Sequence, residues 1–291
     1  MQRPRPSPLA LPRRRAPAAS RPMTGFFLMF AALVVLAACA PASRPPALRA
    51  LEADPAWLPL GVTAPLPAAG WTRGRADTLH VYIEGDGAAY ASRTAPSLDP
   101  TPREATALLL ARADPAPAVA YLGRPCQYVG GPACCSVHWT TGRFSPTVLA
   151  AQGRLLDAAM RAAGARRAVL FGFSGGGAVA ALLAARRADV AGLVTVCGNL
   201  DHAVWTRMHA VAPLSGSLNP ADAAGRLASL PQVHFLGGAD ANVTRRVTDS
   251  FVARLGPGAS VQVRAVPGLG HGGPAWAAAW PQLLRGLAVP P

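Results

Sequence analysis

Five residues, Gly172-Phe173-Ser174-Gly175-Gly176, join an apolar run ending in Val169-Leu170-Phe171 to an Ala/Leu-rich segment beginning at Gly177. A serine so placed reads as a sharp strand-to-helix turn. The backbone of such a turn is strained and Cβ atoms on its flanks would collide, so glycine at 172 and 176 has a steric cause. In a chain with 29 glycines the same five letters also describe a Gly-rich turn that merely starts a helix. The rest of the sequence has to separate the two.

Beyond residue 68, apolar runs alternate with helical patterns, which predicts a mostly parallel sheet with helices on both faces. The expected strands are Leu79 to Glu84, Ala118 to Leu122, Ala168 to Phe171, Gly192 to Cys197, Val233 to Leu236 and Val261 to Val266. Helix starts are expected at Thr101-Pro102, Ser145-Pro146 and Asn219-Pro220, where a capping side chain precedes a first-turn proline. With 291 residues, 51% of them hydrophobic, the chain suits one α/β domain after its N-terminal segment is set aside.

In a sheet of this kind the chemistry gathers outside the carboxyl ends of the strands. Ser174 follows one strand, Asp240 another (Leu236-Gly237-Gly238-Ala239-Asp240), and His271 the last (Gly268-Leu269-Gly270-His271-Gly272). This serine, acid, histidine order on successive strand ends resembles the α/β-hydrolase superfamily from about Leu79 to the C-terminus. The resemblance implies the α/β-hydrolase fold with at most a small cap, for which residues 199–230, with Trp205, Met208 and Leu218, are long enough; packing of those residues on the sheet is the alternative.

A serine hydroxyl needs a base, and an imidazole ionises near neutrality, so His271 is the expected proton acceptor and Asp240 the group that orients it. Asp201, after the neighbouring strand, is the alternative acid. Oxyanion donors are expected from the N–H of Gly175 and, by resemblance, from the loop Glu84-Gly85-Asp86-Gly87, with the Asp86 N–H as the second donor. Two carboxylates stand there where many relatives carry a histidine and an apolar residue. Loop bracing or pairing with Arg93, Arg124 or Arg143 would keep their charge off the oxyanion. The expected activity is hydrolysis of an ester of a small or medium acyl group through an acyl-enzyme on Ser174, without metal or organic cofactor. Acyl transfer, amide or peptide cleavage by the same triad, and a non-catalytic envelope binding lipoprotein are the alternatives.

The N-terminus reads as an export leader. Arginines precede the uncharged apolar stretch Gly25 to Ala38, too short for a comfortable span, which closes with Leu36-Ala37-Ala38-Cys39. That ending resembles the bacterial lipobox, in which the cysteine is lipidated. Residues 1–38 are therefore expected to be a signal peptide, with Met23 an alternative translation start, 39–68 a lipid-anchored flexible tether, and 69–291 the hydrolase domain. Ala40 is not the aspartate that resembles an inner-membrane retention signal, so the expected location is the outer membrane, facing the periplasm.

The formal charge of +14 comes from 28 arginines and no lysine, a coding bias rather than a binding device. Scattered as they are, these arginines carry no nucleic-acid motif. Apart from Cys39 there are Cys126, Cys134, Cys135 and Cys197, an even number in a chain bound for an oxidising compartment. The loop from Arg124 to Thr140 resembles one in uncharacterised bacterial envelope hydrolases, where two cysteines close a small loop before a Trp-Thr pair. This resemblance implies a Cys126–Cys134 disulfide. Cys197 is then a core thiol or the partner of Cys135. A metal site of Cys126, Cys134, Cys135 and His138 is the sharper alternative, although it lacks the separated pairs of a zinc site.

Overall fold

The computed structural model describes residues 44–287. The leader, its apolar segment and Cys39 lie outside the described residues. Within them an eight-stranded sheet carries the fold, in the order β1-β2-β4-β3-β5-β6-β7-β8. The strands are β1 (Leu58–Val62), β2 (Ala68–Gly74), β3 (Thr78–Ile83), β4 (Ala118–Leu122), β5 (Arg167–Phe173), β6 (Val190–Val196), β7 (Gln232–Gly237) and β8 (Val261–Val266). From β4 to β8 every neighbouring pair is parallel, while β1 and β2 join antiparallel at one edge.

Alternation along the central strands builds two cores. On one face Leu79, Val81 and Ile83 of β3 and Ala168 and Leu170 of β5 pack under α3 (Pro146–Ala163) and α4 (Gly175–Ala184). On the other, Tyr82, Val169 and Phe171 pack under α1 (Pro46–Glu52), α2 (Thr106–Ala113) and α8 (Pro274–Arg285), with Trp276 and Trp280 fully buried. Strands covered on both faces read as near-continuous apolar runs, which is why β3 to β7 were visible in the sequence, whereas the half-exposed edge strand β8 shows as the alternation of Val261 and Val263 with Gln262 and Arg264. Between β6 and β8 lie α5 (His202–Met208), α6 (Pro220–Ala223) and α7 (Arg245–Val252).

The expected tether is corrected from residue 46 onward. Leu48 and Leu51 of α1 are fully buried in the second core, and β1 pairs with β2 from Leu58 to Val62. Their Pro/Ala-rich composition disguised them. Pro46 is tolerated because it occupies the first turn of α1, and Pro59 because β1 is an edge strand. The helix expected at Thr101-Pro102 starts later, at Thr106. Ser145 does cap α3, its Oγ accepting from the Val148 N–H at 3.4 Å. Asn219 does not cap α6; its amide instead accepts from the His202 N–H at 3.2 Å and donates to Asp201 at 2.9 Å.

Candidate active site

Ser174 stands between β5 and α4 with φ +51° and ψ −120°, a backbone region that L-residues other than glycine rarely occupy. The surroundings over-determine it. Its N–H donates to Val196 O at 3.0 Å and its carbonyl accepts from the Asn199 N–H at 2.9 Å, which ties the turn to the end of β6. A Cβ on Gly172 would lie 2.4 Å from Gly176 O, so the predicted steric role of the flanking glycine is a literal backbone contact.

His271, on the loop after β8, places Nε2 2.9 Å from Ser174 Oγ and Nδ1 2.8 Å from Asp240 Oδ2. With Nδ1–H donating to the carboxylate, Nε2 is left as an acceptor toward the serine hydroxyl. Asp240 is fixed in turn: its Oδ1 accepts from the N–H groups of Asn242 at 2.7 Å and Val243 at 3.0 Å. Burial raises the pKa of this carboxyl, and the hydrogen bond and charge of His271 with the Val243 N–H outweigh it, holding the group below the usual carboxylate range. It therefore stays ionised at neutral pH and orients the ring.

Asp201 does not reach the histidine. It caps α5, accepting from the Ala203 and Val204 N–H groups, and also receives Ser250 Oγ at 2.7 Å. Of the two acids, only Asp240 meets His271.

Cys197, Asp240 and His271 bring three potential ligand atoms within 4.8 Å of one another, but their chemistry fits a relay better than a metal centre. Burial and the adjacent Asp240 carboxylate push the Cys197 thiol well up, whereas a metal requires the thiolate. Both Asp240 oxygens are already engaged. The other candidate set is ruled out chemically: Cys126 and Cys134 are joined in a disulfide, which leaves their sulfurs no free thiolate. Cys135 is an exposed free thiol and Cys197 a buried one, so they are not partners.

The loop after β3 runs directly over the serine turn. A Cβ on Gly85 would touch Ser174 Cβ at 3.3 Å, and one on Gly175 would lie 2.1 Å from Asp86 Oδ1. The Asp86 carboxylate thus rests on the Cα of Gly175. Arg124 Nη1 donates to its Oδ1 at 3.2 Å and Arg143 Nη1 to its Oδ2 at 2.6 Å. Burial pushes this carboxyl up, but the two guanidinium groups hold it below its ordinary range. Arg93 takes no part among the described residues. No acceptor among the described residues takes the Asp86 N–H, and the N–H of Gly175, first residue of α4, has no partner within its own helix.

Residues that sequence reasoning did not find complete the site. Gln127 Nε2 donates to Gly85 O at 3.0 Å, and Thr106 Oγ1 accepts from the Gly273 N–H at 3.1 Å. Neither has a local sequence signal, because each acts across distant segments. The triad opens into a cavity of about 700 Å³ whose walls include Tyr90, Arg143, Trp205 and Asn242. Of the residues considered for a cap, Trp205 lines this cavity, whereas Leu218 packs against the first core.

No family model matches the chain, and no curated protein matches it. Solved structures do. An acylaminoacyl peptidase from Pyrococcus horikoshii superposes with a TM-score of 0.56 at 12% identity, over 82% of this chain and 41% of that one. An alpha-beta serine hydrolase homologue from Coxiella burnetii gives 0.53 at 14% identity, covering 79% and 97%. An esterase from Pyrococcus furiosus gives 0.52 at 14%, covering 81% and 91%. The chain spans less than half of the peptidase but nearly all of the other two. Together with the strand order, these similarities show the α/β-hydrolase fold.

Proposed function

We propose that this protein is a serine hydrolase that cleaves esters of small or medium acyl groups through an acyl-enzyme on Ser174. The observation that carries the reading is the continuous Ser174–His271–Asp240 hydrogen-bonded chain, with links of 2.9 and 2.8 Å, at the floor of an open cavity. Ser174 Oγ attacks the ester carbonyl carbon as its proton passes to His271 Nε2. The oxyanion is received by the N–H groups of Gly175 and Asp86, and such donors are commonly worth about 3 kcal/mol each. His271 then gives its proton to the departing alkoxide, and water, deprotonated by the same imidazole, releases the acid.

The Asp86 carboxylate would oppose an oxyanion if it stood alone. Its ion pairs with Arg124 and Arg143 neutralise it, which makes the acidic loop compatible with the chemistry. The decisive experiment is reaction with a fluorophosphonate probe. Labelling of the wild type and none of Ser174→Ala is expected; an unlabelled wild type would return the chain to a binding role. A panel of matched esters and amides then separates ester hydrolysis from amide or peptide cleavage.

The leader and the Cys39 lipobox support a lipid-anchored location in the bacterial envelope, at the outer membrane facing the periplasm. Incorporation of a fatty-acid probe in vivo, lost in Cys39→Ala, is expected. Equal incorporation in the variant would remove the anchor from this reading.

A further inference from the structure

Glu84 directly follows β3 and is 1% exposed, yet no cation forms an ion pair with it among the described residues. Three donors converge on its carboxylate. The Gly85 N–H donates to Oε1 at 2.9 Å, the Ala107 N–H to the same oxygen at 3.4 Å, and Tyr121 Oη–H to Oε2 at 3.0 Å. Tyr128 Oη lies 2.7 Å from Tyr121 Oη, so Tyr128 donates to Tyr121 and Tyr121 to the carboxylate.

Each of these donors belongs to a different part of the site. Gly85 is the residue of the acidic loop that touches Ser174. Ala107 is in the first turn of α2, whose neighbouring Thr106 accepts from Gly273 on the histidine loop. One carboxylate therefore ties the loop bearing the Asp86 N–H to the helix that braces the His271 loop. Being ionised it is acceptor-only, and charge-assisted bonds are about twice as strong as neutral ones.

We propose that Glu84 is a positioning residue whose ionised carboxylate holds the oxyanion loop and the histidine loop in register, so that its protonation disarms the site; this rests on the hydrolase reading above. Protonation puts a hydrogen on Oε2 facing Tyr121, reverses the direction of the tyrosine pair, and leaves the Gly85 and Ala107 N–H groups with a weaker neutral acceptor. Burial pushes the carboxyl up to about 7, against the pull of the Gly85, Tyr121 and Ala107 hydrogen bonds. The other charged or titratable groups around it are Arg124, whose charge reaches it from the loop after β4, and Asp86, Arg103, Glu104, Arg143 and His271 in the same cavity.

The test uses the rate of fluorophosphonate labelling of Ser174 from pH 5 to 9, with Ser174→Ala as the blank. In the wild type two groups, His271 and Glu84, must both be deprotonated, so the acid limb of log rate against pH is expected to approach a slope of two. In Glu84→Gln, which imitates the protonated carboxyl at every pH, the slope is expected to fall to one, with the alkaline plateau at least about tenfold lower. Tyr121→Phe removes one donor to the carboxylate and is expected to move the acid limb up by about half to one pH unit. This second variant reads the same coupling if Glu84→Gln fails to fold. A wild-type slope of one, together with a Tyr121→Phe limb that does not move, overturns the proposal. A wild type that never labels overturns the hydrolase reading, and this inference with it.

Discussion

Substituting Gly175 by alanine adds a single methyl group where the structure leaves no room for it. The new Cβ would stand 2.1 Å from Asp86 Oδ1, whereas ordinary contacts begin near 3.4 Å, so something must move by roughly 1.3 Å. If the carboxylate moves, it leaves Arg124 and Arg143, and breaking a largely buried ion pair costs about 3–5 kcal/mol. If the serine turn moves instead, the Gly175 N–H leaves the position from which it can serve an oxyanion, a loss of about 10²–10³ in kcat. Gly175→Ala keeps the N–H itself, so any defect is one of placement.

The assay is kcat and KM on a p-nitrophenyl ester alongside a thermal melt, for Gly175→Ala, Asp86→Ala and the double variant. Because Asp86→Ala removes the clashing atoms, the double variant is expected to be no worse than Asp86→Ala alone, a non-additivity that reports direct contact. Full activity and unchanged stability in Gly175→Ala would refute the packing of this carboxylate on the serine turn.

Other outcomes follow from individual contacts. Asp240→Asn is expected to lower kcat by about 10³–10⁴ with little change in melting temperature, because it disturbs the imidazole tautomer rather than the core. Asp201→Asn should do the reverse, keeping kcat within a few-fold and lowering stability by about 1–2 kcal/mol through the lost charged acceptor of Ser250 and Arg254, since asparagine caps α5 as well as aspartate does. Glu84 makes a pH prediction with a definite sign. Its folded pKa of about 7 stands above the ordinary 4.5, so its stabilising effect is complete below pH 4.5 and is lost as pH rises through 7. That loss is about 3 kcal/mol, and denaturant melts at pH 5 and pH 8 should show it in the wild type and not in Glu84→Gln. The disulfide closes a loop with a sequence separation of 8, so Cys126→Ser/Cys134→Ser should lose about 2–3 kcal/mol, and peptide mapping should recover Cys126 linked to Cys134.

What could be read from the sequence, and what could not, divides along physical lines. The five parallel strands β3 to β7 were legible because burial makes each one a short apolar run, and the edge strand β8 because its Val261 and Val263 alternate with Gln262 and Arg264. Ser174, Asp240 and His271 were legible because each lies at the carboxyl end of such a run, in a Gly-rich loop. β1 was not, since an edge strand with one partner tolerates Pro59, nor was β2, which is buried and paired on both sides but opens with Ala-Ala-Gly, residues that carry no strand signal. Nor could α1 be seen, for it shows the core only Leu48 and Leu51. Spacing could not distinguish Arg124 and Arg143 from Arg93 as partners of Asp86, because that choice is made by the fold of the loop between β4 and α3.

Three departures from ordinary design lie close together in this fold, and their location bears on whether it is used for catalysis. Ser174 sits at φ +51°, a conformation costing about 1–3 kcal/mol. Glu84 is a buried carboxylate without an ion-pair partner among the described residues, and the Asp86 carboxylate rests on a glycine Cα between two arginines. A scaffold retaining only the fold could relieve the first two by one substitution each, glycine at 174 or glutamine at 84, whereas a neutral side chain at 86 would leave the buried Arg124 and Arg143 without their partner. In the present chain they stand together around one hydroxyl, on adjoining strand ends, with His271 and Asp240 in hydrogen-bonded line. Strain of this kind beside the atoms that would meet a tetrahedral oxyanion favours the catalytic reading over the binding one. If catalysis is what retains it, Glu84→Gln should be the more stable protein at pH 8 and the poorer enzyme at the same pH; a variant that gains stability without losing labelling rate would separate the strain from the chemistry.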